Sequence, residues 1–165
     1  MEINLGSIII GAIIITICIL PIVMLRRSRK KRESVLLQSL SEIATQNNCQ
    51  INQYEILGSL AIGIDKTQNF VFFYRQIENN ETKEFVNLDE IQSCNVINTG
   101  KSLNNKNENQ KEIDRLELSF IPTSINKSEI KMEFFNSDIN VQLYGELQLI
   151  EKWSIIINDR LKHKS

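Results

Sequence analysis

The hydrophobic and polar positions along the chain divide it into three unlike parts. Residues 3–25 (INLGSIIIGAIIITICILPIVML) carry no charge, and residues 26–32 (RRSRKKR) carry six cations. From residue 34 onward, apolar residues recur first at helical spacing, then with a period of two, and finally at helical spacing again. The pattern predicts an apolar helix, an amphipathic helix, a set of short strands and a C-terminal helix.

The uncharged part predicts a transmembrane anchor over residues 1–25. A helix over residues 3–25 is about 34 Å long, and a bilayer's hydrocarbon core is about 30 Å thick. A cleaved signal peptide begins with positive charge and has a shorter apolar stretch, whereas the only charged side chain before this run is the acidic Glu2. A buried helix of a soluble core is the remaining alternative.

The basic cluster after the anchor predicts the orientation of the chain. Lys and Arg concentrate on the cytoplasmic side of membrane spans. We therefore expect a single-pass protein of the inner (cytoplasmic) membrane, with the N-terminus outside and the C-terminal domain in the cytoplasm. The cluster also suits contact with anionic lipid headgroups, so a topology signal and specific lipid recognition both stay open. The cations are Arg26, Arg27, Arg29, Lys30, Lys31 and Arg32.

The cytoplasmic part is expected to consist of two regions. Residues 26–49 form a basic juxtamembrane stretch and an amphipathic helix over 34–48, whose apolar stripe should pack on its own domain rather than form a coiled coil. Residues 50–165 form a strand-rich domain, in which the polar stretch 99–112 predicts a mobile hairpin loop. The expected strands are 50–57, 60–64, 70–77, 82–87, 92–98, 114–121 and 129–135.

The last region, 141–162, predicts an amphipathic helix that covers an open barrel or sheet. Gly145 lies near its start and should weaken only the first turn. A helix that binds a partner is the alternative to a core cap. The expected cap residues are Leu147, Ile150, Trp153 and Ile157, in a stripe with Leu143 and Leu161.

Charge and composition exclude several kinds of chemistry. Residues 33–165 hold 13 Lys+Arg and 19 Asp+Glu, a net charge of −6, which argues against a nucleic-acid binder. The three cysteines lack CxxC spacing and His163 is the only histidine, so no metal site, cofactor or catalytic triad is expected. Asp65 lies in a turn, where Asp commonly binds its own backbone. We expect no enzyme and no small-molecule substrate.

The strand order resembles the pleckstrin-homology-like (PH-like) fold of bacterial proteins. The resemblance rests on residues 60–65 (LAIGID), 70–74 (FVFFY) and 86–94 (VNLDEIQSC), followed by a C-terminal helix with a central Trp. It covers about residues 50–162 and implies, beside the predicted N-terminal transmembrane helix, an α+β or mainly-β domain: a seven-stranded antiparallel barrel or sandwich capped by the C-terminal helix. The first hairpin loop, 58–59, lacks the basic residues with which members of the fold bind phosphoinositides, so the resemblance implies a protein-interaction module.

These observations predict a non-catalytic, membrane-anchored interaction module that acts as a tether or accessory subunit. Its partners would be the lipid bilayer and a protein of unknown identity. A sensor of anionic lipid surfaces that uses the basic segment is the alternative. The expected partner surface is the exposed edge of the fourth strand and the outer face of the last helix, namely Glu84, Val86, Glu146, Lys152 and Asp159.

Overall fold

A computed structural model describes residues 5–102, 111–140 and 142–163 of the chain, with side chains over 26–100, 113–140 and 142–163. Two helices flank seven strands in the order that the hydrophobic pattern predicts. A short 3₁₀ turn, Leu88–Glu90, joins the fourth strand to the fifth. The elements are α1 (Leu5–Gln46), β1 (Gln53–Leu57), β2 (Leu60–Asp65), β3 (Phe70–Ile77), β4 (Asn80–Asn87), β5 (Ile91–Ser102), β6 (Lys111–Pro122), β7 (Ile130–Asn136) and α2 (Glu146–Lys162).

The strands form two antiparallel sheets, a four-stranded one in the order β1-β2-β3-β4 and a three-stranded one in the order β5-β6-β7. Tight turns join the first four strands, and each contains a residue with positive φ, namely Gly58, Asn69 and Glu78. Gly and Asn adopt a positive φ at a low conformational energy cost, which explains the first two turns. The predicted set of antiparallel strands followed by a C-terminal helix is confirmed.

The main core lies between the two sheets and α2. Phe73 of β3 meets Phe134 of β7 with ring centroids 5.3 Å apart. Trp153 of α2 is fully buried in the same cluster, as are Ile150 and Ile157. Burial of each such side chain contributes about 1.5–3 kcal/mol, so α2 is an integral part of the core. Its predicted role as a cap is confirmed for these three residues, while Leu147 is half-buried at the margin.

The C-terminal half of α1 covers the opposite face of the four-stranded sheet. Leu36, Leu40 and Ile43 pack in one buried cluster with Phe72 and Tyr74 of β3. The sheet is therefore covered on both faces, which explains why β2 reads as a nearly continuous apolar run rather than an alternating one. The expectation that the amphipathic stripe packs on its own domain is confirmed.

Two predicted boundaries are wrong. The polar stretch 99–112 was expected to be a loop, but β5 extends to Ser102 and pairs there with Lys111 of β6. Backbone pairing continues a hairpin beyond its apolar part, which composition alone does not reveal; residues 103–110 lie outside the described residues. The predicted helix 141–162 begins only at Glu146, because Gly145 at its N-cap has a φ of 126°. Leu149 then joins the buried face.

The predicted anchor, 1–25, lies outside the residues whose side chains are described, although the backbone of α1 begins at Leu5. Within the part of the chain with described side chains, no helix is both long enough and apolar enough to cross a membrane.

Candidate interaction surfaces

The basic segment 26–32 belongs to the same helix that packs on the sheet. All six of its Arg and Lys side chains are exposed, and among the α1 residues with described side chains, 26–46, the first buried one is Leu36. No Gly or Pro stands between Arg26 and Gln46, so the sequence contains no residue that favours a kink there. The cations and the domain are therefore connected by continuous helix.

A cavity of about 320 Å³ lies where this helix first meets the domain. Arg32 lines it together with the β1–β2 turn, the end of β3 and the loop that precedes α2. We call this side of the domain the proximal end, formed by residues 58–59, 76–79, 137–140 and 142–144. Two large apolar side chains of the proximal end are exposed, Ile139 by 48 % and Tyr144 by 77 %.

The opposite side, which we call the distal end, contains the C-terminus of α1, the β2–β3 turn, the 3₁₀ turn and the loop 123–128. Asp65 organises this end, since its carboxylate accepts hydrogen bonds from the backbone N–H groups of Gln50 (2.7 Å), Thr67 (2.7 Å) and Gln68 (3.0 Å). Burial raises the pKa of Asp65, but the three donors outweigh this and hold it below its ordinary value. The predicted role of Asp65 in its turn is confirmed, and the bond to Gln50 additionally ties the end of α1 to the sheet.

The predicted partner surface on β4 is only partly exposed. β4 is an edge strand, as expected. However, Val86 pairs with Val71 and is 2 % exposed, because its side chain faces the core between the sheets. Glu84, which pairs with Phe73, points to that same face. The expectation that these two side chains lie on an outer surface is wrong for Val86, and Glu84 is only partly exposed.

Glu84 and its neighbours form a polar cluster between the sheets. Arg75 of β3 is 3 % exposed and donates to Glu133 Oε1 of β7 at 2.7 Å. Arg115 of β6 lies 3.4 Å from the other oxygen of Glu133. Among the described side chains, Arg75 Nη2 and Glu84 Oε2 are buried without a hydrogen-bond partner. Burial, and then the negative charge of Glu133, raise the pKa of Glu84.

The outer face of α2 also differs from the prediction. Glu146 is 9 % exposed and accepts a hydrogen bond from the backbone N–H of Tyr144 at 2.6 Å, so it shapes the start of the helix. Lys152 is exposed and pairs with Glu55 of β1. Asp159 is exposed, 3.3 Å from the ammonium group of Lys162. Lys152 and Asp159 stay candidates for partner contact, whereas the expectation of exposure is wrong for Glu146.

The two cysteines whose side chains the structure describes are buried. Cys49 is 6 % and Cys94 is 1 % exposed, as expected for cysteines that pack as small apolar residues. Burial raises the pKa of the Cys94 thiol to about 12, and burial followed by the charge of Asp65 raises the pKa of Cys49. Neither thiol is a reactive group. Over the described ranges, no three His, Cys, Asp or Glu side chains are grouped so that they could hold a metal ion.

Sequence reasoning missed two features that the structure reveals. The first is the polar cluster around Arg75, for which a signal existed: Glu84 has the same strand parity as the apolar Val86, so a period of two places both on one face. The second is the pair Ile139 and Tyr144, which come together on a loop at the proximal end. No periodic signal marks an irregular loop, so this second feature required the tertiary structure.

Comparison of the chain with protein-family models, with curated proteins and with solved structures found no match.

Proposed function

We propose that this chain is a single-pass, membrane-anchored interaction module that performs no reaction and serves as a tether or accessory subunit of a membrane-associated assembly. The observation that carries the proposal is the composition of α1. Residues 5–25 of the apolar run, the basic segment 26–32 and the stripe that packs on the sheet follow one another in one helix, Leu5–Gln46. A helix of this kind couples a bilayer to a folded domain rigidly.

The proposal includes a PH-like domain over residues 50–165. Its support is the division into four-stranded and three-stranded antiparallel sheets with a C-terminal helix, together with the burial of Trp153 in the core to which both sheets contribute. An experimental structure tests this assignment. A sheet order or a helix position outside the PH-like arrangement would contradict it.

The proposed orientation places the N-terminus outside and the domain in the cytoplasm of a bacterial cell. It rests on the six cations of residues 26–32, which are all exposed and follow the apolar run directly. In this orientation, the surface available to a cytoplasmic protein partner includes Lys152, Asp159 and the outer face of β4, where Phe85 is 48 % exposed. Exposed aromatic residues are frequent anchors at interfaces.

The experiment that tests the proposed function is purification of the full chain from its native membrane in mild detergent, with mass spectrometry of the proteins that accompany it. A stoichiometric companion, lost on Phe85→Ser and retained on Ile125→Ser, supports an accessory subunit that binds through β4. Ile125 is a matched control, because it is fully exposed and lies in neither β4 nor α2. Recovery of the chain without any companion would contradict the proposed role.

A sensor of anionic lipid surfaces is the second candidate function, favoured by the full exposure of the basic segment. Each cation near an anionic surface contributes about 1 kcal/mol of attraction. The test is the lipid composition that co-purifies with the full chain and with a variant carrying Arg29→Gln, Lys30→Gln and Lys31→Gln. A sensor requires enrichment of anionic lipid that this variant loses.

The matched control changes three exposed cations of the domain, Lys127→Gln, Lys131→Gln and Lys162→Gln, which are paired with carboxylates on the surface. The control alters the net charge by the same amount and should leave the lipid composition unchanged. Equal loss of anionic lipid in both variants would indicate a nonspecific charge effect and contradict a sensor in the basic segment.

A further inference from the structure

We infer that the proximal end of the domain rests on the headgroup layer of the membrane that holds the anchor, with Ile139 and Tyr144 as its contact residues. The inference rests on the proposed function, since only an anchor in α1 brings this end next to a bilayer. It adds that the domain touches lipid directly, through a loop remote in sequence from the anchor.

The helix between the anchor and the domain is too short to leave a wide gap between the domain and the headgroup layer. Arg32 lies about 9 Å along α1 from Arg26, at 1.5 Å per residue. The headgroup layer on each side of a bilayer is about 5–8 Å thick, from the difference between its total thickness and its hydrocarbon core. Since Arg32 lines the same cavity as Ile139 and Tyr144, these residues lie at the depth where the headgroups end.

The connection is also too rigid to hold the domain away from the membrane. Leu36, Leu40 and Ile43 are at most 5 % exposed and hold α1 against the sheet. Between the basic segment and these residues the backbone is continuously helical. A change in the height of the domain would therefore require unwinding of α1 or loss of this buried contact.

The exposed residues of the proximal end have the chemistry of a membrane interface. Tyrosine is enriched at that depth, because its ring is apolar and its hydroxyl group hydrogen-bonds to headgroups and water. Ile139 adds an aliphatic side chain beside it. Glu78 and Asp138, both exposed at this end, make it unsuited to attract anionic lipid by itself. The cations of residues 26–32 supply that attraction, and the loop supplies the interfacial contact.

The experiment measures quenching of a fluorophore by a spin label on the lipid headgroup, in the full chain reconstituted into vesicles of phosphatidylcholine and phosphatidylglycerol. The fluorophore is attached at one of three exposed positions: Arg29→Cys next to the anchor, Tyr144→Cys at the proximal end, or Ile125→Cys at the distal end. Ile125 is fully exposed and serves as the matched control. All variants carry Cys18→Ala, while Cys49 and Cys94 are buried and stay unlabelled.

The expected result is strong quenching at positions 29 and 144, several-fold greater than at position 125. Quenching at 29, with 144 as weak as 125, would overturn the inference and leave the anchor intact. Absence of quenching at 29 would show that the anchor itself fails, and the inference with it. Strong quenching at both 144 and 125 would mean that the domain lies on its side, which also contradicts the inference.

A fourth label separates a lipid contact made by these two side chains from mere proximity. A fluorophore at Glu78→Cys, on the neighbouring turn, should be quenched, and Ile139→Ser with Tyr144→Ser should reduce that quenching. The native fluorescence of the buried Trp153 verifies that each variant is folded. Unchanged quenching in the folded double variant would overturn the role of Ile139 and Tyr144.

Discussion

The side-chain amide of Asn158 pairs with both backbone polar atoms of Cys94. Asn158 Nδ2 donates to the Cys94 carbonyl at 2.6 Å, and the Cys94 N–H donates to Asn158 Oδ1 at 3.2 Å. Cys94 lies in β5, an edge strand of the three-stranded sheet. The helix α2 therefore supplies, through one residue, the hydrogen bonds that a neighbouring strand would make, and it protects this edge from pairing with another chain.

Replacement of Asn158 should destabilise the domain and expose the edge of β5. We expect Asn158→Leu to lower the free energy of unfolding by about 1–3 kcal/mol, because it leaves the buried Cys94 N–H and carbonyl unpaired. Urea unfolding of the full chain in mild detergent, followed by the fluorescence of Trp153, measures this change. Asp159→Asn, at the exposed neighbouring position, should change it by less than about 0.5 kcal/mol. Equal effects of the two variants would contradict the role of Asn158.

Asp65 should make the stability of the domain fall at acid pH. Its pKa is lower in the folded chain than in the unfolded chain, so its contribution is complete above about pH 4 and is lost as the pH falls through the folded-state pKa. Asp65→Asn keeps an acceptor for Thr67 and Gln68 but places an NH₂ group against the Gln50 N–H. We expect a loss of about 1–3 kcal/mol at pH 7.

The pH dependence separates this electrostatic contribution from packing. The difference between Asp65→Asn and the unaltered chain should shrink when unfolding is measured in steps from pH 7 toward pH 3. A difference that stays constant over this range would show that ionised Asp65 contributes nothing through its charge.

Replacement by Gln should stabilise the fold at Glu84 and destabilise it at Glu133. The pKa of Glu84 is raised on folding, so its ionisation destabilises the fold at pH above about 4.3, the ordinary value, and has no such effect below it. Glu84→Gln should therefore increase the free energy of unfolding at pH 7 by about 1 kcal/mol, and the gain should vanish toward pH 4.

Glu133→Gln serves as the matched control within the same cluster. It removes the charged partner of the buried Arg75 and should lower the free energy of unfolding by up to about 3 kcal/mol. Thermal or urea unfolding of both variants at pH 7 and pH 4 tests the pair. Destabilisation by Glu84→Gln at pH 7 would indicate that Glu84 makes a stabilising contact in the cluster.

Gly63 should be necessary for the packing of α1 on the sheet. A Cβ atom at this position would lie 2.9 Å from Ile51 Cγ2 and 3.1 Å from Leu40 Cδ2. We expect Gly63→Ala to lower the free energy of unfolding by about 1–3 kcal/mol, because the side chains of Ile51 and Leu40 must shift to admit the methyl group, and the shift of Leu40 moves α1 away from the sheet. Limited proteolysis between residues 26 and 46 detects the separation.

Gly58→Asn is the control for this substitution, since nothing lies within 4 Å of that Cβ position and Asn tolerates its φ of 59°. Its protease resistance should match that of the unaltered chain. If Gly63→Ala also stays resistant, α1 and the sheet adapt to the extra methyl group without separating.

The orientation of the chain can be tested with an engineered thiol. Cys49 and Cys94 are unsuitable reporters because both are buried, whereas Ile125→Cys in a Cys18→Ala background presents a fully exposed thiol. A membrane-impermeant maleimide should label it only after the cells are permeabilised. Labelling of intact cells would place the domain outside and reverse the proposed topology.

The sequence by itself determined the order and type of the elements, but not that the predicted apolar and amphipathic helices form one helix, α1. Seven strands between helical regions follow from local patterns, because alternation along 114–121 and the three- to four-residue spacing around Trp153 record which side of each element is buried. Turn residues such as Gly58 are likewise local signals. The cap role of Trp153 was predictable for the same reason, since a bulky stripe on a helix needs a cover.

Only the tertiary structure decided how these elements combine and where polar groups lie. Glu84 is directed between the sheets toward Glu133 of a distant strand, and Asn158 reaches the backbone of Cys94. The juxtaposition of Arg32 with Tyr144 at the proximal end is likewise a contact between residues remote in sequence. Such contacts depend on the packing of two sheets and two helices at once. Local periodicity records that a side is buried, but not which partner buries it.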